Sequence, residues 1–192
     1  NGGFMGNVSL KFDKFWETFI KYNGYVKVLE GLKNTLTIAV LGLIIGIVIG
    51  TLIATARVIP QYKVLPRILN KICSFYVALF RGTPIVVQLL VFYYVLLPLM
   101  GSRMTGIQVA VMVFGLNSAA YISEIMRGGI MSVESGQMEA GGAVGLSFGT
   151  TMLKIVIPQA VKNILPTMGN DLIALIKDTS VVSFVGATDL YV

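Results

Sequence analysis

The sequence predicts an all-α integral membrane protein, a multi-span helical bundle with one long polar loop between its later spans. Of its 192 residues 55% are apolar and only 12% charged, and its mean hydropathy is +0.81. An average soluble domain carries about twice that charge, so this chain cannot cover itself in water. The stretch from Thr35 to Ala56 holds no charge at all and exceeds the roughly 20 apolar residues that a helix needs to cross a bilayer. Further apolar stretches follow behind basic or glycine-rich connectors. The chain reads as one transmembrane domain, 1–192, with spans near 35–56, 72–100, 107–125 and 160–187.

Composition also excludes. The chain has one cysteine, Cys73, and no histidine, which rules out an intramolecular disulfide and removes the usual zinc or haem ligand sets, so no metal site is expected. The net charge of +6 is strewn between apolar runs without interleaved aromatics, which argues against nucleic acid and for charges flanking spans. The start does not resemble a secretory signal peptide. Because the chain opens at Asn1 and stops at Val192 just beyond an apolar run, trimming at both ends is an expectation.

Residues 1–34 form a tail in this reading. Between Val8 and Asn23, Phe12, Phe15, Trp16, Phe19 and Ile20 recur at helical spacing opposite Lys11, Lys14, Glu17 and Lys21, the pattern of a helix lying at a membrane interface or packed on the bundle's flank. Span 35–56 ends at Arg57 and Pro60. Its Gly42, Gly46 and Gly50 recur every fourth residue, a ridge for close helix packing.

A basic connector then leads to Ile72–Met100, broken by Arg81, Gly82, Thr83 and Pro84. This is either one helix kinked at Pro84 or two, with Thr83 and Pro84 opening the second. A guanidinium facing lipid at mid-membrane costs about 2.5–3.5 kcal/mol on insertion scales, so Arg81 is assigned to packing or an interface. The third span, 107–125, carries Gln108, Asn117 and Ser118, and Glu124 stands three residues before Arg127, at pairing distance on a helix. Residues 128–158 are too polar to span and form a loop with short helices. The fourth, 160–187, reads as a broken helix, interrupted by Pro166, Asn170 and Asp171 and again at Lys177 to Ser180. With Arg81 set aside, lysines and arginines divide evenly between the two sides, so charge does not orient the bundle.

The loop holds the most informative pattern: Glu139-Ala140-Gly141, three residues, Gly145, nine residues, Ile155, one residue, then Ile157 and Pro158. It resembles the cytoplasmic signature loop of binding-protein-dependent ABC importer permeases, which reads Glu-Ala-Ala, three residues, Gly, nine residues, Ile, one residue, Leu-Pro. Gly141 replaces alanine, at about 1 kcal/mol of helix propensity, and Ile157 replaces leucine. Arg81 to Pro84 with Val87-Gln88-Leu89, Asn117 to Tyr121 with Glu124 and Arg127, and Lys177 to Ser180 look like the polar amino acid branch of that family.

The resemblance implies a type I ABC importer fold with a coupling helix: a short helix, a sharp turn at Gly145 and a second short helix ended by Pro158, seated in a groove of an ATPase. Glu139 and Lys154 would meet that partner, and Ala140, Ala143, Val144 and Leu146 would pack on the permease itself. It further implies a bacterial cytoplasmic membrane, an outside N-terminus, and a final span missing after Asp189-Leu190-Tyr191. The implied partners are two ATP-binding subunits, a second permease copy or homologue, and an extracellular or periplasmic substrate-binding protein. No GxxxxGK[ST] run occurs in the chain, so ATP and magnesium would belong to the ATPase, and no cofactor or catalysis is expected here.

Candidate substrate-binding residues follow from the rule that ionisable groups and broken helices inside a membrane mark pathways. Asn117, Tyr121 and Glu124 share one helix face. Asn170 and Asp171 precede the break at Lys177 and Asp178, where a substrate carboxylate would meet Lys177 and its amino group Asp171 or Glu124. At least one of Glu124, Asp171 and Asp178 is expected to face a central cavity, the alternative being internal ion pairs that glue the bundle. The rival functions are a secondary amino acid transporter or channel without an ATPase, and a noncatalytic membrane assembly subunit.

Overall fold

The computed structural model describes residues 10–17, 20, 24–59 and 62–186, and these are helical apart from short connections. Residues 10–17 are helical, with the Phe12 and Trp16 rings stacked 6.4 Å apart. Most of the remainder of 8–23, and everything from Ala187 on, lies outside the described residues.

Helix α1, Gly24–Val58, begins well before Thr35, because nothing between Gly24 and Lys33 breaks it and Lys27, Glu30 and Lys33 stay exposed. Its buried residues Gly31, Thr35, Ile38, Ala39, Gly42, Gly46, Gly50 and Ala54 form one stripe. That stripe lies against the central helix. A Cβ on Gly46 would stand 2.8 Å from Ser118 Cβ, and one on Gly50 would stand 3.0 Å from the Ala119 carbonyl oxygen. In return, Gly115 makes room for Ile45, whose Cγ2 lies 2.7 Å from where a Cβ would be. Small residues on both sides let the two backbones approach where dispersion, not water exclusion, drives association.

The apolar region after the basic connector is two helices, α2 (Val64–Gly82) and α3 (Ile85–Leu99), set at 105°. Thr83 and Pro84 make the corner in extended conformation, with ψ of 141° and 139°. A proline disfavours helical geometry in the residue before it, so Thr83 ends α2.

Helix α4, Gly106–Met131, starts at a capping box in which the Thr105 hydroxyl accepts from Gln108 N at 3.3 Å and Gln108 Oε1 accepts from Thr105 N at 2.9 Å. Gln108 is therefore a helix cap and not a polar residue within a span. Val109, Ala110, Val113 and Phe114 are fully buried and centre the core. The helix also runs past Ile125, because Gly128 and Gly129 continue it and Gly129 receives Ile164, whose Cγ1 lies 2.3 Å from a notional Cβ.

The loop is more helical than its polarity suggests. Helix α5 spans Ser135–Ala143, and a turn at Phe148–Thr151 runs through a π-helical turn, Met152–Val156, into α6, Ile157–Asp178. Pro158 therefore does not end the second arm, and Pro166, Asn170 and Asp171 do not break the last helix. The geometry passes to a 3-10 turn only at Thr179–Val185.

Pro98 and Pro158 each stand two residues beyond a π-turn, at Phe92–Leu96 and Met152–Val156. A proline ring crowds the carbonyl four residues back and offers no N–H. Those carbonyls, on Tyr94 and Lys154, lie inside the widened turns, which make room for the rings without ending the helix. Among the described residues α1 and α4 are each long and apolar enough to cross a membrane, and α2 with α3 qualifies as a third, bent span.

Candidate functional site

Three walls enclose a cavity of about 480 Å³. The α2–α3 corner contributes Arg81 to Ile85, α4 contributes Asn117, Ser118 and Tyr121, and α6 contributes Asp171, Ala174, Leu175 and Asp178. The corner reaches the cavity because its two extended residues turn α3 away from α2. On α4, Asn117 and Tyr121 are four residues apart and face the same way, and on α6 the seven-residue step from Asp171 to Asp178 completes two turns.

The charges sit on different walls. The Arg81 guanidinium lies over the Tyr121 ring, 5.3 Å from its centroid, where the ring's negative face stabilises a cation. On the α6 wall Asp171 accepts a hydrogen bond from the Ser118 hydroxyl at 3.1 Å. Asp178 is exposed toward the same space. The space thus offers a cation on one wall and two carboxylates on another, together with amide, hydroxyl and aromatic surface.

Of the residues proposed from sequence, Asn117, Tyr121, Asp171 and Asp178 meet here. Glu124 does not. It lies one turn beyond Tyr121 and is held by Arg57 and Arg127, the latter at 2.8 Å, with Arg81 3.9 Å away. Its side chain is 18% exposed and that of Arg57 14%. Glu124 borders a separate cleft between α4 and α6. Asn170 and Lys177 are exposed and line no part of this cavity, since each sits one helix step of about 100° from a cavity-facing aspartate.

Sequence reasoning missed Arg81 and Ser118. Arg81 lines the cavity and is not confined to packing or an interface. The signal was its place beside a helix break, which opens backbone toward a pathway.

The loop residues form a second, separate feature. Helix α5 closes in a Schellman motif: Gly145, at φ +81°, donates to the Gly142 carbonyl at 3.0 Å, and Leu146 N donates to Gly141 O at 2.9 Å. A positive φ at this position suits glycine. Gly141 is the buried residue of α5, lying against Thr151. Glu139 and Ala140 are exposed, as are Lys154 and Pro158, and Ile155 is half-buried within the π-turn. The surface expected to pack on the chain's own helices is open instead: Val144 is 75% and Leu146 38% exposed, and Ala143 is exposed too. The reason is that α5 turns its glycine side inward. Gln159 to Gln137 at 3.3 Å and Asn163 to Ser132 at 2.8 Å tie the loop to the root of α6.

Comparison with known proteins bears on both features. The family described as binding-protein-dependent transport system inner membrane component matches residues 42–191. The arginine transport system permease protein ArtQ of Bacillus subtilis (strain 168) is 40% identical over 163 residues, 85% of this chain and 72% of that protein. The glutamine transport system permease protein GlnP of Escherichia coli (strain K12) is 40% identical over 164 residues, 85% of this chain and 73% of that protein. A solved structure, the crystal structure of an amino acid ABC transporter with histidines, superposes with a TM-score of 0.81 at 34% identity, covering 91% of this chain and 78% of that one.

Proposed function

The chain belongs to the family of binding-protein-dependent transport system inner membrane components, and on that premise we propose that it carries a polar amino acid through the cavity between Arg81 and Asp171. It has the type I ABC importer permease fold and is a transport component, not an enzyme. It is embedded in a membrane and works with an ATPase and a substrate-binding protein.

One observation carries the proposal: a cation and two carboxylates line one cavity from different elements. A zwitterion needs both. In this reading the substrate carboxylate meets Arg81, which replaces Lys177 in that role, and the ammonium meets Asp171 or Asp178. Asn117 and Tyr121 supply polar and aromatic surface, and Glu124 steadies the arginines below. The cavity volume of about 480 Å³ falls in the range of roughly 300–1,000 Å³ usual for small-molecule sites.

The proposal extends to the assembly. Two permease protomers, identical or homologous, flank the pathway in a bacterial cytoplasmic membrane, with N-termini outside and α5 in the cytoplasm. Two ATPases hold ATP and magnesium, close on one another and push on α5, and alternating access follows. Support for the α5 role comes from its open apolar surface beside Glu139, and from the rigid Gly145 turn, which passes force into α6 without a flexible joint.

Binding of labelled arginine or glutamine to the purified permease–ATPase complex tests the cavity. Asp171→Asn and Tyr121→Ala each weaken binding at least tenfold if the reading holds. Unchanged binding in both variants contradicts it.

A further inference from the structure

Beside the cavity, and outside its lining, one amide side chain joins two of its walls. Gln88 is 8% exposed. Its Nε2 lies 2.8 Å from the Phe80 carbonyl oxygen, 3.0 Å from the Thr83 carbonyl oxygen and 2.8 Å from the Thr83 hydroxyl. Its Oε1 accepts from Asn117 Nδ2 at 3.1 Å, and Asn117 Nδ2 also lies 3.3 Å from the Phe80 carbonyl. With three oxygens around the NH₂ and a donor at the oxygen, the amide has one workable orientation.

These bonds answer a need created by the corner. The last four carbonyls of a helix have no partner within it, and inside a membrane water does not supply one. At the end of α2, Leu79 O is taken by the Thr83 hydroxyl at 2.8 Å, and Phe80 O by Gln88 and Asn117. The chain could have satisfied those groups locally. Instead the bonds run from the corner through Gln88 to Asn117 on α4, and Asn117 is itself a cavity residue at 8% exposure.

We infer that Gln88 is the positioning residue of the site: its amide fastens the α2–α3 corner to Asn117 and so fixes the spacing between the wall that carries Arg81 and the wall that carries Tyr121. Gln88 touches no substrate. It borders an apolar notch on the far side of the corner, with Leu79, Val91 and Leu96, and acts through its two neighbours. Arg81 follows Phe80 directly, so a shift of the Phe80 carbonyl moves the guanidinium away from Tyr121. The inference rests on the cavity being the amino acid site.

The test is equilibrium binding of labelled arginine and, separately, labelled glutamine to the permease–ATPase complex in nanodiscs without the substrate-binding protein, recording both affinity and the number of sites. Gln88→Met keeps length and removes every hydrogen bond. The expected result is a Kd raised at least tenfold with the number of sites unchanged. Asn117→Leu removes the same network together with a cavity contact, so it should weaken binding at least as much, and the double variant should be no worse than Asn117→Leu alone. A merely structural role lowers the number of sites at constant Kd, which would overturn the inference. The exchange Gln88→Asn with Asn117→Gln covers a Met variant that fails to fold. It should bind more tightly than Gln88→Asn alone, and no such recovery overturns the inference as well. Binding that Tyr121→Ala weakens but Gln88→Met leaves at wild-type Kd overturns this inference only, whereas no binding by the wild type overturns the cavity reading with it.

Discussion

A Cβ on Gly141 would stand 2.4 Å from Thr151 Cγ2 and 2.5 Å from its Oγ1. The two arms of the loop meet at this point, glycine against threonine, and Thr151 is 1% exposed.

Gly141→Ala therefore forces a methyl into occupied space, although alanine is the better helix former by about 1 kcal/mol. Overpacking a tight contact costs about 1–3 kcal/mol, so the variant should lower the thermal unfolding midpoint of the purified protein. Adding Thr151→Ala should recover most of the loss. If Gly141→Ala alone stabilises the protein, the contact is not as close as described.

The glycine ridge of α1 is not uniform. A Cβ on Gly42 would have its nearest neighbour at 3.4 Å, ordinary contact, whereas on Gly46 it would meet Ser118 Cβ at 2.8 Å. Gly42→Ala should leave thermal stability and expression near wild type, and Gly46→Ala should lower both. Equal tolerance at the two positions would mean that α1 does not pack on α4 through this ridge.

Glu124 serves Arg57 and Arg127 at once. Removing one partner of a buried pair costs roughly 3–5 kcal/mol, because a charge is left without its counterpart. With Glu124 18% and Arg127 35% exposed, solvent screens part of that loss, so Glu124→Gln should destabilise the protein by less than that amount in a denaturant or thermal titration, and Arg57→Met added to it should cost less than the sum of the two. Full additivity would show that the pair is not coupled.

Much of this arrangement was legible in the residues. The charge-free run from Thr35, the glycine ridge and the spacing around Gly145 each reflect a local rule, and local rules survive folding. The broken-helix reading of 160–187 did not hold at Pro166, where α6 runs on from Ile157 to Asp178. The roles of Arg81, Glu124 and Lys177 were not legible either. All three are ionisable residues at span ends, and which one faces the cavity depends on the 105° corner, which sequence left open between one kinked helix and two. The inward turn of Gly141 likewise needs the partner arm, since nothing in α5 alone says which side Thr151 will occupy.

Gly145 holds φ at +81° with nothing within 4 Å of a notional Cβ, so its requirement is conformational and not steric. Gly145→Ala strains that turn by about 1–3 kcal/mol while its Cβ meets no neighbour. The expected outcome is a protein that still inserts and binds its ATPase but whose ATP hydrolysis no longer responds to the loaded substrate-binding protein. A variant that still responds as wild type would remove the rigid turn from the account.

The most direct measurement is uptake of labelled arginine or glutamine by vesicles containing the permease and its ATPase, with ATP inside and the substrate-binding protein outside, compared between wild type and Glu139→Lys. Accumulation that depends on ATP in the wild type, and that falls at least tenfold in Glu139→Lys while ATP is still hydrolysed, is the predicted result. Accumulation that proceeds without the ATPase, or equally well in Glu139→Lys, would contradict the account.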